Sequence, residues 1–236
     1  MTKTFSSTPL LTQTLLHKVY EWVDVEYALA KSQLNLSARA VNTLATKYPD
    51  AVAKSQLLSK FIAADALNSV IGLAIDNFIS MYDTDKGFNV MVCGGWVGIL
   101  PKLIIENWGA GAPLLKYCVS IDLDEQALID SSWIVDSNKY IFHCKDIYDV
   151  DYTKINVVVN PIVEHLTDFD GWISMIPSGT IVLLTSTDFT DPPDHVNTVA
   201  NRSEFLKQCA LYVNTLYVNS FETPMYKRFL VGGVIK

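Results

Sequence analysis

The sequence predicts an α/β fold in which a helical N-terminal segment precedes a mostly parallel sheet of seven strands. From residue 88 onward, short continuous apolar runs alternate with helix-like stretches, as expected for strands that are buried on both faces of a parallel sheet. The first run, Phe88–Cys93, ends at glycines, where the backbone can turn sharply. The last two runs, Leu211–Val218 and Arg228–Ile235, predict a hairpin-like end to the sheet.

Length and composition indicate one compact globular domain with a helical appendage. The chain has 236 residues, of which 50% are hydrophobic and 18% are charged, so it can bury a sizeable core. The 18 basic and 25 acidic residues give a formal net charge of −7, and no cluster of lysines and arginines stands out. Such a surface repels phosphate backbones, so the charge argues against nucleic acid as a partner.

Cysteine usage and the N-terminus predict a soluble cytoplasmic protein. The four cysteines are widely spaced and form no C-x-x-C pair, so we expect buried free thiols in a reducing compartment. The first residues lack an apolar signal core, and no apolar run approaches membrane-spanning length, so we expect no membrane partner. The four histidines are scattered and offer no ligand spacing, so no metal site is expected.

We expect residues 1–83 to form the helical N-terminal segment and residues 84–236 to form the domain that carries the sheet. Apolar residues on helical spacing predict helices over Leu10–Leu34, from Ser37 to just before Pro49, and over Ala51–Met81. No residue of this segment suggests a chemical role. The segment either forms a lid over the carboxyl edge of the sheet or simply packs against the sheet.

A glycine turn and an acidic residue mark the most informative stretch. The strand Phe88–Cys93 leads into Gly94 and Gly95, a helix-like run follows, and the next strand closes at Asp122. Because open α/β sheets bind ligands at the carboxyl ends of their strands, Asp122 is placed to hold ribose hydroxyls beside bare glycine backbone. The glycine spacing differs from the G-x-G-x-x-G of NAD sites.

This stretch resembles motif I of the class I S-adenosylmethionine (SAM) methyltransferases, (D/E)-x-G-x-G-x-G. Gly94 and Gly98 match its first and third glycines, whereas Trp96 stands at the second and Val92 at the acidic position. The resemblance implies a Rossmann-like fold, SAM as the cofactor and Asp122 as the ribose ligand. It also implies that four residues cradle the amino-acid end of SAM: Gly94, Gly95, Trp96 and Gly98.

The third strand is predicted over Tyr140–Cys144, after a short helix over Glu125–Ser132, and Asp146 follows it directly. In the methyltransferase family an acid at this place commonly faces the adenine amino group. The resemblance therefore assigns Asp146 to the cofactor. The alternative is a turn aspartate that caps backbone amides.

The fourth strand, Ile155–Val159, ends in a segment where two family patterns overlap. Asn160 and the proline after it resemble the start of N-P-P-(Y/F/W) of amino-group methyltransferases, although the second proline and the aromatic residue are missing. Glu164 and His165 resemble the E-H-(L/V) segment of small-molecule methyltransferases. The resemblance implies that Asn160, Glu164 and His165 face the acceptor, with Asn160 also near the cofactor. Alternatively, Glu164 and His165 only begin a helix.

A Pro-Ser-Gly turn precedes the fifth strand, which begins near Ile181, and a polar loop over Asp188–His195 follows the strand. The Asp-Pro-Pro in this loop imitates the D-P-P motif of other methyltransferases, but it follows the fifth strand instead of the fourth. His195 is a second, weaker candidate for a base. A helix is predicted over Ser203–Gln208.

The order of these motifs favours a SAM-dependent methyltransferase with a small-molecule acceptor. One alternative is an amino-group methyltransferase that acts on a nucleobase or glutamine, which the Asn-Pro pair suggests and the acidic charge opposes. Others are a transferase of the aminocarboxypropyl group of SAM and a SAM-binding partner subunit without activity. The sequence leaves the oligomeric state open.

Overall fold

The computed structural model describes Lys47 and residues 51–109, 112–223 and 225–236. The helix predicted over Leu10–Leu34 lies outside the described residues, and so does the helix predicted before Pro49 except for Lys47, which is helical. Helix α1 spans Ala51–Phe78 and continues into a 3₁₀ turn over Ile79–Met81, which confirms the third helix predicted for the segment.

A seven-stranded sheet forms the centre of the molecule, with the strand order β3-β2-β1-β4-β5-β7-β6. Strands β1 to β5 are parallel, and β7 is antiparallel to both of its neighbours, β5 and β6. This architecture confirms the predicted mostly parallel sheet and its hairpin-like end. The strands are Phe88–Cys93 (β1), Leu115–Asp122 (β2), Tyr140–Cys144 (β3), Val157–Asn160 (β4), Ile181–Thr187 (β5), Val213–Glu222 (β6) and Lys227–Ile235 (β7).

Helices cover both faces of the sheet, because the side chains of each strand alternate between two cores. On one face Val90 and Val92 of β1 pack with α1 and with the helices Ile99–Glu106 (α2) and Glu125–Ile134 (α3). On the other face Met91 and Cys93 pack with the helices Phe169–Ser174 (α4) and Arg202–Cys209 (α5).

Side-chain caps explain where three of the helices begin. Asp124 accepts a hydrogen bond from the backbone N–H of Ala127 at the start of α3, at 3.0 Å. Asp168 and Asn201 cap α4 and α5 in the same way. Each cap satisfies a backbone donor that the helix itself leaves unpaired.

Helix α1 is an integral part of the core. Leu57, Phe61 and Leu67 are buried in the same cluster as β1. Val70 lies against β7 so closely that a Cβ atom on Gly232 would be 2.3 Å from a Val70 methyl carbon. This packing brings the N-terminal turns of α1 to the carboxyl edge of the sheet.

The expectation that no apolar run approaches membrane-spanning length was wrong for α1 and the 3₁₀ turn after it. Among the described residues, Ser55–Met81 is one stretch of 27 residues that is long and apolar enough to cross a membrane. The structure explains its composition differently, because 56% of its most apolar window is buried inside the fold. A helix that is apolar over most of its surface is either buried in a protein core or spans a membrane, so composition alone does not separate the two.

Candidate functional site

A cavity of about 610 Å³ opens at the carboxyl edge of the sheet. Its walls come from the turns that follow β1, β2, β3 and β4, from the first turns of α1, and from the start of β7. This is the edge at which open parallel sheets bind their ligands, and the volume is typical of small-molecule sites. The cavity thus lies at the edge where the sequence analysis placed the binding site.

The glycine turn after β1 places one of its three glycines on the cavity. Gly94 has φ 66° and lines the cavity; a Cβ atom there would lie 2.4 Å from a side-chain carbon of Ile162. Gly95 and Gly98 are not among the lining residues. A Cβ on Gly95 would collide with Ser120, and a Cβ on Gly98 would crowd α3. These two glycines therefore allow close packing of the turn.

Trp96 adopts a left-handed backbone conformation, with φ 46°, and lines the cavity. Non-glycine residues rarely take this conformation, which explains why the family motif has glycine at the corresponding position. At this turn the cavity is therefore bordered by a tryptophan where the family motif has glycine.

Asp122 closes β2 and lines the cavity beside this turn. Its Oδ2 accepts a hydrogen bond from the backbone N–H of Trp96 at 2.7 Å, and its Oδ1 accepts one from the backbone N–H of Asp124 at 3.0 Å. Each carboxylate oxygen can accept a further hydrogen bond, so the group can hold the turn and a ligand hydroxyl together.

Asp146 lines the same cavity after β3. Its Oδ1 accepts a hydrogen bond from the backbone N–H of Tyr148 at 3.0 Å and so caps a 3₁₀ turn over Ile147–Asp149. The capping role foreseen as the alternative is therefore present. It leaves Oδ2 for a second donor, so a role in ligand binding is compatible with the cap.

Asn160 and Glu164 do not line the cavity. The Asn160 side chain is buried, its Oδ1 accepts a hydrogen bond from the backbone N–H of Ile162 at 2.9 Å, and its Nδ2 has no partner in the described part of the chain. The Glu164 carboxylate is 1% exposed and pairs with Arg228 at 2.5 Å, although the sequence pattern had placed it toward the acceptor. A carboxylate held this way fixes the turn after β4 against β7.

His165 does reach the cavity, where it meets two residues of the loop after β5. Its Nδ1 lies 3.0 Å from Oδ2 of Asp194, which also lines the cavity. The His195 ring contacts it edge to face, with the ring centroids 4.6 Å apart. Burial is the main reason why the pKa of His165 is lowered. The two histidines therefore lie together in the structure, although their positions in the sequence offered no ligand spacing.

Lys60 of α1 is the feature of the cavity that the sequence did not reveal. Its side chain lines the cavity and is 3% exposed. It has no hydrogen-bond or ion-pair partner among the residues that the structure describes. Burial, reinforced by Arg228, lowers the pKa of Lys60 to about 7, while Glu164 and Asp122 oppose the shift.

The residues missed at the sequence level come from distant parts of the chain. Lys60 belongs to a mostly apolar helix, and Arg228 is the second residue of β7, between Lys227 and a continuous apolar run. The sequence did offer one signal, a charged residue inside an apolar run. Charged residues are almost never fully buried unless paired, so such a residue indicates a specific interaction. Asp194 carried no such signal, because acids are common in loops.

Comparison with solved structures finds the same fold at low sequence identity. Magnesium protoporphyrin IX methyltransferase (ChlM) from Synechocystis PCC 6803 with bound SAM is 13% identical, with a TM-score of 0.53 over 98% of this chain and 99% of that chain. N-methyltransferase NodS from Bradyrhizobium japonicum WM9 is 12% identical, with a TM-score of 0.50 over 72% of this chain and 94% of that chain. No protein-family model matches the sequence, and no curated protein matches it.

The chain therefore has the Rossmann-like fold of the class I SAM-dependent methyltransferases, as the motif resemblance implied. In the case of ChlM the likeness extends over nearly the full length of both chains. At this level of identity the likeness defines the fold alone. The function has to be argued from the residues that line the cavity.

Proposed function

We propose that this protein is a SAM-dependent methyltransferase that acts on a small-molecule acceptor. The observation that carries the proposal is the position of Asp122. A carboxylate at the end of β2 and a glycine turn at the end of β1 line one cavity, in a fold whose solved relatives include an enzyme with bound SAM. The cavity volume of about 610 Å³ fits a nucleoside with room for a second small molecule.

The cofactor half of the cavity, defined by Gly94, Trp96, Asp122 and Asp146, would hold SAM. Asp122 accepts the ribose hydroxyls on the oxygen lone pairs that its two backbone donors leave, and Asp146 accepts from the adenine amino group. Lys60 lines the same cavity, and its charge interacts most with Arg228, then with Glu164 and least with Asp122. We assign Lys60 to the carboxylate of the methionine end.

The acceptor half of the cavity, defined by His165, Asp194 and Arg228, would hold the methyl acceptor. When bound, SAM supplies an electrophilic methyl group. The protein's own task is then to align the acceptor with that group and to exclude water from it. His165 faces this half with its ring fixed by Asp194, and Arg228 holds the turn on which His165 stands through its pair with Glu164.

Charge and enclosure support a small acceptor. The formal net charge of −7 disfavours a polyanion, and the α1 side chains of Gln56 and Lys60 close one side of the cavity. The amino-group alternative has less support, because Asn160 uses its carbonyl oxygen within its own turn and stands outside the cavity lining.

The test is transfer of label from SAM to fractions of a cell extract. The purified chain and methyl-labelled SAM are incubated in three separate reactions. One contains the small-molecule fraction, one the protein fraction and one the nucleic-acid fraction. We expect label in the small-molecule fraction alone. A parallel reaction with SAM labelled in the carboxyl group separates methyl transfer from transfer of the aminocarboxypropyl group.

Two variants make this assay specific. Asp122→Ala should reduce transfer through loss of cofactor binding, and His165→Ala should reduce it while SAM still binds. Label in tRNA or DNA, with binding that weakens steeply as salt rises, would favour the amino-group alternative. SAM binding without label in any fraction would favour the partner subunit without activity.

A further inference from the structure

We infer that Glu164, His165 and His195 form a binding site for a divalent first-row transition-metal ion at the acceptor half of the cavity. One ligand atom from each residue lies within 4.8 Å of those of the other two. Two imidazoles and one carboxylate are a common ligand set for iron and zinc in enzymes. The metal site is inferred from the arrangement of these side chains, and only the role of the ion in catalysis rests on the proposed function.

The hydrogen bonds behind the two histidines are those of metal ligands. His195 Nδ1 donates to the backbone carbonyl of Phe189 at 2.5 Å, which fixes the tautomer and leaves Nε2 with a lone pair. His165 Nδ1 lies 3.0 Å from the Asp194 carboxylate, so a donated N–H there leaves its Nε2 free in the same way. Metal-binding histidines usually donate their other nitrogen to a carbonyl or carboxylate.

The buried carboxylate supplies an independent observation. Glu164 Oε1 pairs with Arg228, but Oε2 is buried and has no partner within the described residues. An unpaired anionic oxygen in the interior is costly, so a ligand for it is expected. A cation at the two histidines supplies that ligand, and the hydrogen bond from Arg228 keeps the carboxylate oriented.

The loop after β5 holds these groups in position. The backbone N–H of Asn197 donates to the carbonyl of Glu164 at 2.9 Å, and its side-chain amide donates to the carbonyl of Val163 at 3.2 Å. The Phe189 ring stacks on Tyr226 with the ring centroids 5.3 Å apart. To surround an ion at metal–ligand distances of about 2.0–2.2 Å, the ligand atoms must move closer together by at most roughly 1.5 Å when the ion binds.

Such an ion adds a specific chemistry to the acceptor half. Three protein ligands leave coordination positions open, and His165 borders the cavity, so an acceptor oxygen can bind the ion there. Coordination would lower the pKa of a bound hydroxyl, which would then lose its proton to solvent as the acceptor binds, before water is excluded from the methyl group. The acceptor class that this predicts is a small molecule with a metal-binding hydroxyl or enol.

The experiment uses the full, untagged chain, stripped with a chelator and titrated with Co²⁺, whose visible spectrum reports its ligands. We expect one equivalent of Co²⁺ to bind, with competition by Zn²⁺. His165→Ala and His195→Ala should each weaken binding at least tenfold. The matched control is His143→Ala, an exposed histidine on β3, which should bind Co²⁺ as the wild type does.

Asp194→Asn retains all three ligands and changes an exposed side chain, so we expect it to fold. It should weaken Co²⁺ binding roughly tenfold, because outer carboxylates typically contribute 10- to 100-fold in affinity. SAM binding by the same samples, measured by calorimetry, should be unaffected by the chelator. Failure of the wild type to bind Co²⁺, or equal binding by wild type and His195→Ala, would overturn the site. Because SAM binding is measured separately, such a failure leaves the proposed function intact.

Discussion

The two halves of the cavity are held by different kinds of interaction. In the cofactor half, backbone N–H groups orient the carboxylates of Asp122 and Asp146. In the acceptor half, side chains orient one another: Arg228 pairs with Glu164, and Asp194 pairs with His165. The first half is therefore fixed by local turns, whereas the second depends on contacts between α1, the turn after β4, the loop after β5 and the start of β7.

This difference indicates how each half should respond to substitution. A backbone-held carboxylate can be removed with a local loss of ligand binding, because the turn around it keeps its own main-chain bonds. A buried side-chain pair cannot lose one member without leaving a charge in the interior. Substitutions in the acceptor half should therefore affect stability as well as activity.

The largest effect is expected for Arg228→Met. The change leaves the buried Glu164 carboxylate without its partner, so the free energy of unfolding should fall by about 3–5 kcal/mol. Denaturant unfolding followed by circular dichroism measures it. The matched control is the double variant Glu164→Leu with Arg228→Met, which should recover most of the loss. Equal destabilisation of the double and single variants would show that the pair is not the cause.

Asp122→Ala should weaken SAM binding with a smaller effect on the fold. Each charge-assisted hydrogen bond to the ribose is worth about 1.5–3 kcal/mol, so affinity should fall roughly tenfold or more. Asp122→Asn keeps one acceptor oxygen, so its affinity for SAM should lie between that of the wild type and that of Asp122→Ala. Binding of 5′-methylthioadenosine, which has the ribose but lacks the amino-acid end, should fall in parallel. Unchanged affinity for both ligands would leave Asp122 as a support for the turn only.

Lys60→Met separates the two ends of the cofactor. It should lower the affinity for SAM several-fold and leave 5′-methylthioadenosine binding unchanged, since only SAM presents a carboxylate. Because the pKa of Lys60 is about 7 in the free protein, the amine must take up a proton to bind that carboxylate above pH 7. Wild-type affinity should therefore decline as pH rises above 7, more steeply than that of Lys60→Met. Parallel pH profiles of the two proteins would refute the assignment.

The smallest effect concerns the backbone at Trp96. Because this residue has φ 46°, Trp96→Gly should be more stable than Trp96→Ala by about 1 kcal/mol, although both remove the indole. Thermal or denaturant unfolding of the two variants measures the difference. Equal stabilities would indicate that the turn relaxes when the indole is removed.

The sequence predicted the fold well where the signals are local. The bounds of β3, Tyr140–Cys144, agree with the prediction because an apolar run between polar turns defines them. Strand β4 begins two residues later than predicted, at Val157, because the backbone N–H of Ile155 closes a turn onto the carbonyl of Tyr152. Apolar character alone does not distinguish that turn residue from a strand residue.

The same distinction applies to the site. Asp122 and Gly94 could be predicted because a glycine turn and a strand end place them without reference to distant residues. The pairing of His165 with His195, and the approach of Lys60 to Arg228, depend on how separate elements pack. No spacing in the sequence encodes those contacts. Glu164 is an example. Its position in the motif indicated that it faces the acceptor, but the sequence did not reveal that its carboxylate pairs with Arg228.

The most direct test of the central claim is calorimetric titration of the full chain with SAM and, in parallel, with NAD. The account predicts saturable binding of SAM at micromolar concentration and no binding of NAD. The reason is that Gly94 and Asp122 offer a ribose site without the glycine spacing that a pyrophosphate requires. Saturable binding of NAD without binding of SAM would contradict the account.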